Sequence, residues 1–339
     1  MSKYLNVFNT LAEYQTFSAS TEYVQPNVAL VKETNVLYYD YGDNKPQLNY
    51  TDYKVSSRSL VSDGGDTYGL DETLCLNYIP SGVTSLEDAF SNWSNLEEVT
   101  CEIPNSVTNM SSTFSGCTSL VNVPEIPNSV TDMNNTFSNC SSLVNAPVIP
   151  NSVTDMSYTF QYCSSLVNAP VIPSSVTSMS STFRDCSSLV NAPEIPSEVT
   201  DMSSTFYGCI SLVNAPEIPN SVTSMYYTFR NCISLVNAPE ISSRVTDMSS
   251  TFYGCSSLVN APEIPNSVTN MIAIFGNCTS LKEVTFLHTT PPSYNNALSG
   301  CSKLETIYVP DESVDAYKTA TGWSQFASNI KPLSRKPSE

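Results

Sequence analysis

The sequence holds a single histidine, His288, in 339 residues, and only 14 lysines and arginines against 32 aspartates and glutamates. Each shortage excludes something. One histidine removes the commonest general base and the commonest metal ligand from almost the whole chain. A net charge of −18 argues against nucleic acid as a partner, because a phosphate backbone needs a basic face. The apolar runs fall far short of the roughly 18–20 residues of a membrane span, so no membrane insertion is expected. Glycine is scarce at 11 residues, all in turn-like settings, with no loop built to cradle phosphate. No Cys-x-x-Cys pair occurs among the 11 cysteines, and His288 has no cysteine close to it in sequence. No metal and no other cofactor is therefore expected. A serine, histidine and acid cannot be assembled into a triad around His288, so the chain reads as a non-enzyme. Met1 to Phe8 shows no apolar core or cleavage pattern of a secretory signal. The chain is therefore expected to stay in the cell that makes it, or to leave by lysis or by assembly into a particle.

What the sequence does hold is a repeat. Nine cysteines (Cys117, Cys140, Cys163, Cys186, Cys209, Cys232, Cys255, Cys278, Cys301) follow one another at steps of 23 residues. The same step carries methionines from Met110 to Met271, phenylalanines from Phe114 to Phe275 with Leu298 in the next place, and leucines from Leu120 to Leu304. A degenerate first turn, with Val83, Leu86, Phe90 and Trp93, is offset by 24. A fixed period of this length predicts a solenoid: one unit cannot bury its own apolar face and must stack on its neighbours. The fold class is a β-rich repeat solenoid with short helical turns, a small mixed N-terminal segment and a helical C-terminal cap. The expected core columns are Leu, Ala, Ile, Val, Met, Phe and Cys. Leu-Val-Asn-Ala-Pro-Glu-Ile reads as a short extended segment, irregular because proline lacks a ladder donor. Val-Thr-Asp-Met reads as a second, and Ser-Ser-Thr-Phe-Tyr-Gly-Cys as one tight helical turn. In-register thiols have parallel Cβ vectors, which a disulfide torsion disfavours. Buried thiols acting as small hydrophobes are the better reading. The asparagines from Asn122 to Asn260 read as a ladder of stacked amides.

Three parts follow: residues 1–70, the solenoid at 71–309, and a cap and tail at 310–339. In the first, Thr10 to Glu13 has the spacing of a capped short helix, and Val28–Val31 with Val36–Tyr39 suggests a hairpin. In the last, Asp311 is expected to cap a helix that Gly322 stops. Trp323, Phe326 and Ile330 seal the final turn, and Lys331 to Glu339 is expected to be a loose tail.

The Cys-Ser-Ser-Leu, Ile-Pro-Asn-Ser-Val-Thr and Phe-Tyr-Gly-Cys pieces, with the stretch Ile307 to Tyr317, resemble the BspA-like leucine-rich repeats of bacterial surface proteins. That resemblance covers about two thirds of the chain and implies adhesion and recognition rather than catalysis. The stretch Gln25 to Thr34 followed by Val36 to Tyr39 is similar to leader segments on gut-phage or prophage structural proteins. It implies that residues 1–70 attach the solenoid to a virion or to another subunit, including a second copy; a simple N-terminal cap is the alternative.

Two surface lines could carry recognition. Glu194, Glu217, Glu240 and Glu263 occupy one position in four consecutive turns, and Asp132, Asp155, Asp201 and Asp247 form a broken second line. They are either a solvated face or a strip for cations or a basic partner. Identical carboxylates give no way to set two pKa values apart, which excludes a glycosidase pair. The position after each phenylalanine is the one that varies, and there Arg184, Tyr207, Arg230 and Tyr253 alternate. Tyr158, Tyr162, Tyr226 and Tyr227 widen that patch. Arginine and tyrosine dominate binding hot spots, although such a stack can also serve only to stiffen the rod. The expected function is non-catalytic recognition of a host-surface glycan or protein. The setting is a virion-associated fibre or decoration protein, or alternatively a bacterial surface adhesin; a purely structural spacer is the third reading.

Overall fold

The structure, a computed structural model, describes residues 83–99 and 102–337, together with seven strands between residues 5 and 69. Those strands form two sheets. In the first, β1 (Leu5–Phe8) runs parallel to β2 (Val28–Val31), which pairs antiparallel with β3 (Val36–Tyr39) and then β4 (Gln47–Asn49). The expected hairpin is there, with Leu30 opposite Leu37. A three-stranded antiparallel sheet follows, made of β5 (Tyr53–Ser56), β6 (Ser59–Ser62) and β7 (Thr67–Gly69). The short helix expected at Thr10 to Glu13 lies outside the described residues.

From residue 83 onward the chain winds in rungs that stack in register, one repeat per rung. Two columns of parallel bridges tie them together. One runs Asn109, Asp132, Asp155, Ser178, Asp201 and onward to Asn270; the other runs Asn145, Asn168, Asn191 and onward to Asn260. Each bridge is a single residue wide, and in the asparagine column the two prolines of Ala-Pro-Glu-Ile-Pro remove the donors a longer ladder needs. Where the prolines give way to other residues the ladder widens at once. β8 (Asn260–Ile264), β9 (Glu283–Phe286), β10 (Thr306–Val309) and β11 (Ile330–Pro332) form a parallel sheet, and its one register shift falls at β8, the strand that contains Pro262.

The Ser-Ser-Thr-Phe segment is not the helical turn its spacing suggests. Its N–H groups alternate in direction. Ser112, Phe114 and Gly116 donate to Asn134, Thr136 and Ser138 of the next rung, while Thr113, Ser115 and Cys117 donate three residues back to Met110, Ser112 and Phe114. That alternation needs left-handed backbone at Ser112 (φ 54°) and Gly116 (φ 77°), so the segment is a run of turns joined sideways to its neighbour. Every second donor becomes an inter-rung bond, which a helix cannot provide.

The core is the set of columns that the repeat predicts, with one addition. Leucine, valine, methionine, phenylalanine and cysteine are fully buried through most rungs, the isoleucines nearly so, and the alanines only partly. The phenylalanine rings form one continuous stack from Phe90 to Phe275, with centroids 5.4–5.8 Å apart and planes within 19°. Burying each ring stabilises the array by roughly 1.5–3 kcal/mol. The addition is threonine. Thr113, Thr136, Thr159, Thr182, Thr205, Thr228 and Thr251 are wholly buried, and their hydroxyls donate to carbonyls of the preceding rung, Thr113 to Leu86 (2.9 Å) and the others to methionines, as from Thr136 to Met110 (2.9 Å) and Thr228 to Met202 (2.9 Å). The asparagine column contributes through its backbone bridges. Its side chains are exposed, and one amide–amide bond is formed, from Asn237 to Asn214 (3.1 Å).

The C-terminal end is built more tightly than expected. A 3-10 turn at Asp311–Ser313 leads into α1 (Val314–Thr319), which ends three residues before Gly322. Asp311 does not cap that helix. Its carboxylate accepts the N–H of Ser334 (2.9 Å) and holds the tail. The stretch from Lys331 is not loose through residue 337: β11 pairs with β10, a turn covers Leu333–Arg335, and Lys336 reaches Glu263 (2.8 Å). Trp323, fully buried, seals the stack as predicted. Its ring meets Phe286 (5.0 Å) and Tyr317 (5.1 Å) edge-on, and its indole N–H donates to Pro292 (2.7 Å).

Candidate recognition surface

A rung has two outward parts, the variable turn after phenylalanine and the proline segment. On the turn, the structure assembles most of the predicted stripe. The Arg184 guanidinium lies 4.6 Å from the Tyr207 ring centre. Tyr207 is 6.2 Å from Tyr227, which stacks on Tyr226 at 3.9 Å with planes 18° apart. Arg230 sits between two rings, 4.9 Å from Tyr227 and 4.0 Å from Tyr253. Tyr253 is fixed in turn, since its hydroxyl accepts a hydrogen bond from Asn277 (2.8 Å) and its ring covers Gly276, where a Cβ would lie 2.6 Å from Cδ2. The neighbouring Tyr227 hydroxyl pushes the Tyr226 phenol above its ordinary range. Tyr158 and Tyr162 stand exposed beside this group without joining its ring contacts. Tyr162 meets it through the backbone, donating its N–H to the Arg184 carbonyl (2.7 Å).

The two arginines are not equivalent, a distinction the spacing alone does not show. Arg184 is paired with Asp185 (3.3 Å). The residue after Arg230 is Asn231, and among the described residues Arg230 has no carboxylate at ion-pair distance.

On the proline segment, Glu194, Glu217, Glu240 and Glu263 are exposed as expected of a solvated face, and Lys336 neutralises the last of them. The same position holds Val148 and Val171 in earlier rungs, 81% and 86% exposed. The line of acid therefore gives way to a line of valine, and a groove of about 1140 Å³ crosses the change, lined by Ala169, Pro170, Val171, Pro193, Glu194 and Glu217 among others. The second acidic line is structural. The carboxylates of Asp132, Asp155, Asp201 and Asp247 each accept the N–H two residues on, at 2.7–3.0 Å, and fix the start of the turn.

His288 is buried in the cap, its Nε2–H donating to the Val268 carbonyl (2.8 Å), and burial lowers its pKa so that the ring is neutral. The nine cysteines of the repeat form no disulfides, and burial raises the pKa of the thiols from Cys140 to Cys301. Among the described residues no three His, Cys, Asp or Glu side chains are placed to hold a metal ion, and no helix is long and apolar enough to cross a membrane.

Solved structures similar to this chain include a leucine-rich cell surface protein from Faecalibacterium prausnitzii, at 21% identity and a TM-score of 0.39 over 87% of this chain and 96% of that one. A leucine-rich repeat protein from Bacteroides ovatus gives 20%, 0.43, 88% and 98% for the same four measures. One from Eubacterium ventriosum gives 22%, 0.40, 78% and 82%. No curated protein matches the sequence. A family model for the BspA type leucine rich repeat region matches residues 76–190 and 199–320 in six copies. With most of the chain covered and the repeat step carried by every core column, this protein belongs to the BspA-type leucine-rich repeat family.

Proposed function

We propose that the protein is a non-catalytic recognition rod, and that the stripe from Arg184 to Tyr253 docks on a glycan or protein of a host surface. One observation carries this reading. Tyr158, Tyr162 and Tyr227 have φ of 59–60°, in a left-handed backbone that costs an L-residue roughly 1–2 kcal/mol. Equivalent positions in other rungs include Asn135, or Asn139, Gly208 and Gly254, which tolerate that conformation better, while Ser112, Ser181 and Ala273 adopt it with small side chains. Three bulky rings at strained sites, all on the face where Arg184 and Arg230 stack, favour selection for a partner over selection for folding.

The family supports display on a bacterial cell surface. A virion setting, with residues 1–70 as the attachment, draws support from the Gln25 to Tyr39 pattern. Immunogold labelling with an antibody to residues 1–70 separates the two: gold on cells supports the first, gold on particles the second. The recognition reading itself is tested by replacing Arg184, Tyr207, Arg230 and Tyr253 together by alanine. Host-cell binding is expected to fall by tenfold or more; unchanged binding by a folded variant would overturn it.

A further inference from the structure

We infer that Arg230, clamped between Tyr227 and Tyr253, binds the carboxylate of an acidic sugar in an otherwise mostly neutral glycan, while Arg184 has a supporting part only. This deepens the proposed recognition function and rests on it.

The solenoid between residues 83 and 281 has three basic side chains, Arg184, Arg230 and Arg244. Asp185 neutralises Arg184, whereas Arg230 lies against two tyrosine rings and, among the described residues, has no carboxylate at ion-pair distance. Ring stacking covers the flat faces of a guanidinium and leaves its N–H edge for a planar, bidentate acceptor. Asp247, in the next repeat, is already engaged, accepting from Ser249 (2.8 Å) and Asn270 (3.1 Å). The clamp is also rigid, since Asn277 and Gly276 fix Tyr253 and Tyr226 stacks behind Tyr227. An anion arriving there meets a cation whose ordering has already been met by the fold.

A sugar suits this surface better than an acidic peptide. The backbone N–H groups of Tyr227, Arg230, Asn231 and Gly254 are all bonded, to Ser249, Tyr227, Tyr253 and Gly276, so an added strand finds no donors here. With the rings of Tyr227 and Tyr253 taken up by Tyr226, Arg230 and Gly276, what remains is the guanidinium edge beside the exposed ring of Tyr226, a match for the carboxylate and the apolar face of one sugar ring. Charge density narrows the class further. The chain carries −18 overall, which repels a polyanion, but screening over about 8 Å at physiological salt lets a single carboxylate see Arg230 first.

The test is an array of uronic-acid-terminated and sialic-acid-terminated oligosaccharides, each beside its carboxyl-reduced twin, probed with the full chain. At least one acid form is expected to bind about tenfold or more tightly than its reduced twin, the factor a charge-assisted hydrogen-bonded pair supplies. Arg230→Gln should erase that preference, Arg230→Lys should restore part of it, and Arg244→Gln, which is no part of the stripe, should leave it in place. No preference for any acid form, or a preference that survives in a folded Arg230→Gln, would overturn the inference. Host-cell binding by the four-residue alanine variant is read separately, so recognition by the stripe can stand while the acidic-sugar assignment falls.

Discussion

The thiol of Cys140 donates to the carbonyl oxygen of Phe114 at 3.1 Å, and the same oxygen accepts the backbone N–H of Cys117 at 3.0 Å. The pairing recurs rung after rung, from Cys163 on Phe137 to Cys301 on Phe275. Each phenylalanine carbonyl thus fills one lone pair from its own rung and the other from the next. Cysteine is small enough for the column and still supplies a donor, which alanine would not. The thiol column is both packing and inter-rung bonding.

Alkaline sensitivity follows from those thiols. Burial pushes Cys163 up to about 12 and Cys301 up to about 11, from an ordinary 9.0. Above pH 9 the unfolded chain releases protons that the folded chain keeps. The stability these thiols give is complete below that pH and is lost as pH rises toward the folded-state values, at about 1.4 kcal/mol per thiol per pH unit. Circular dichroism against pH is expected to show one steep unfolding transition between roughly pH 9.5 and 11. Replacing Cys163, Cys186 and Cys209 by alanine should lower stability at pH 7 by about 1–2 kcal/mol per site yet make the alkaline transition shallower. An unchanged slope would mean that other groups set the limit.

The columns of Leu, Met, Phe and Cys were legible in the sequence because they are apolar and keep one step. The threonine column keeps the same step and was missed, because a hydroxyl in a Ser-Ser-Thr run counts as surface until its carbonyl partner on the rung before is seen. The turn was misread for a related reason: Phe and Cys three apart suit a helix, and the left-handed backbone at Ser112 or Tyr158 leaves no mark in residue type. The stripe was half legible. Its 23-residue step places Arg184, Tyr207, Arg230 and Tyr253 on one line, but the pairing of Arg184 with Asp185 and the insertion of Arg230 against Tyr227 depend on rotamers and on neighbouring rungs. The tail was hidden because Lys331 to Arg335 has no periodic pattern, and its order comes from one strand pairing and the carboxylate of Asp311.

Relieving the strained tyrosines should separate folding from recognition. Tyr158→Asn and Tyr162→Asn place at φ of 60° the residue type found at Asn135 and Asn139. Each is expected to raise stability, by up to about 1 kcal/mol in urea unfolding. Tyr227→Asn should gain less, because it also removes the contacts to Tyr226 and Arg230. If all three variants lose stability, the rings are packing elements and the strain argument for a partner fails.

The cap supplies the last prediction. A stack of rungs that touch only their neighbours unfolds from its ends, so the end seal controls how readily the terminal rungs open. Trp323 covers the final turns with its ring against Phe286, Tyr294 and Tyr317, and its indole N–H closes on Pro292. Trp323→Ala removes that packing and leaves the Pro292 carbonyl without its donor, a loss of about 3–5 kcal/mol at that end. Because the loss is local, amide exchange should quicken first in β9, β10 and β11, while the rungs around Phe137 and Phe160 keep their protection. Trp323→Phe retains most of the ring packing and should show a smaller effect confined to the same strands. Uniform loss of protection along the solenoid in Trp323→Ala would show instead that the rungs unfold as one unit, with the cap setting the stability of the whole rather than of its own end.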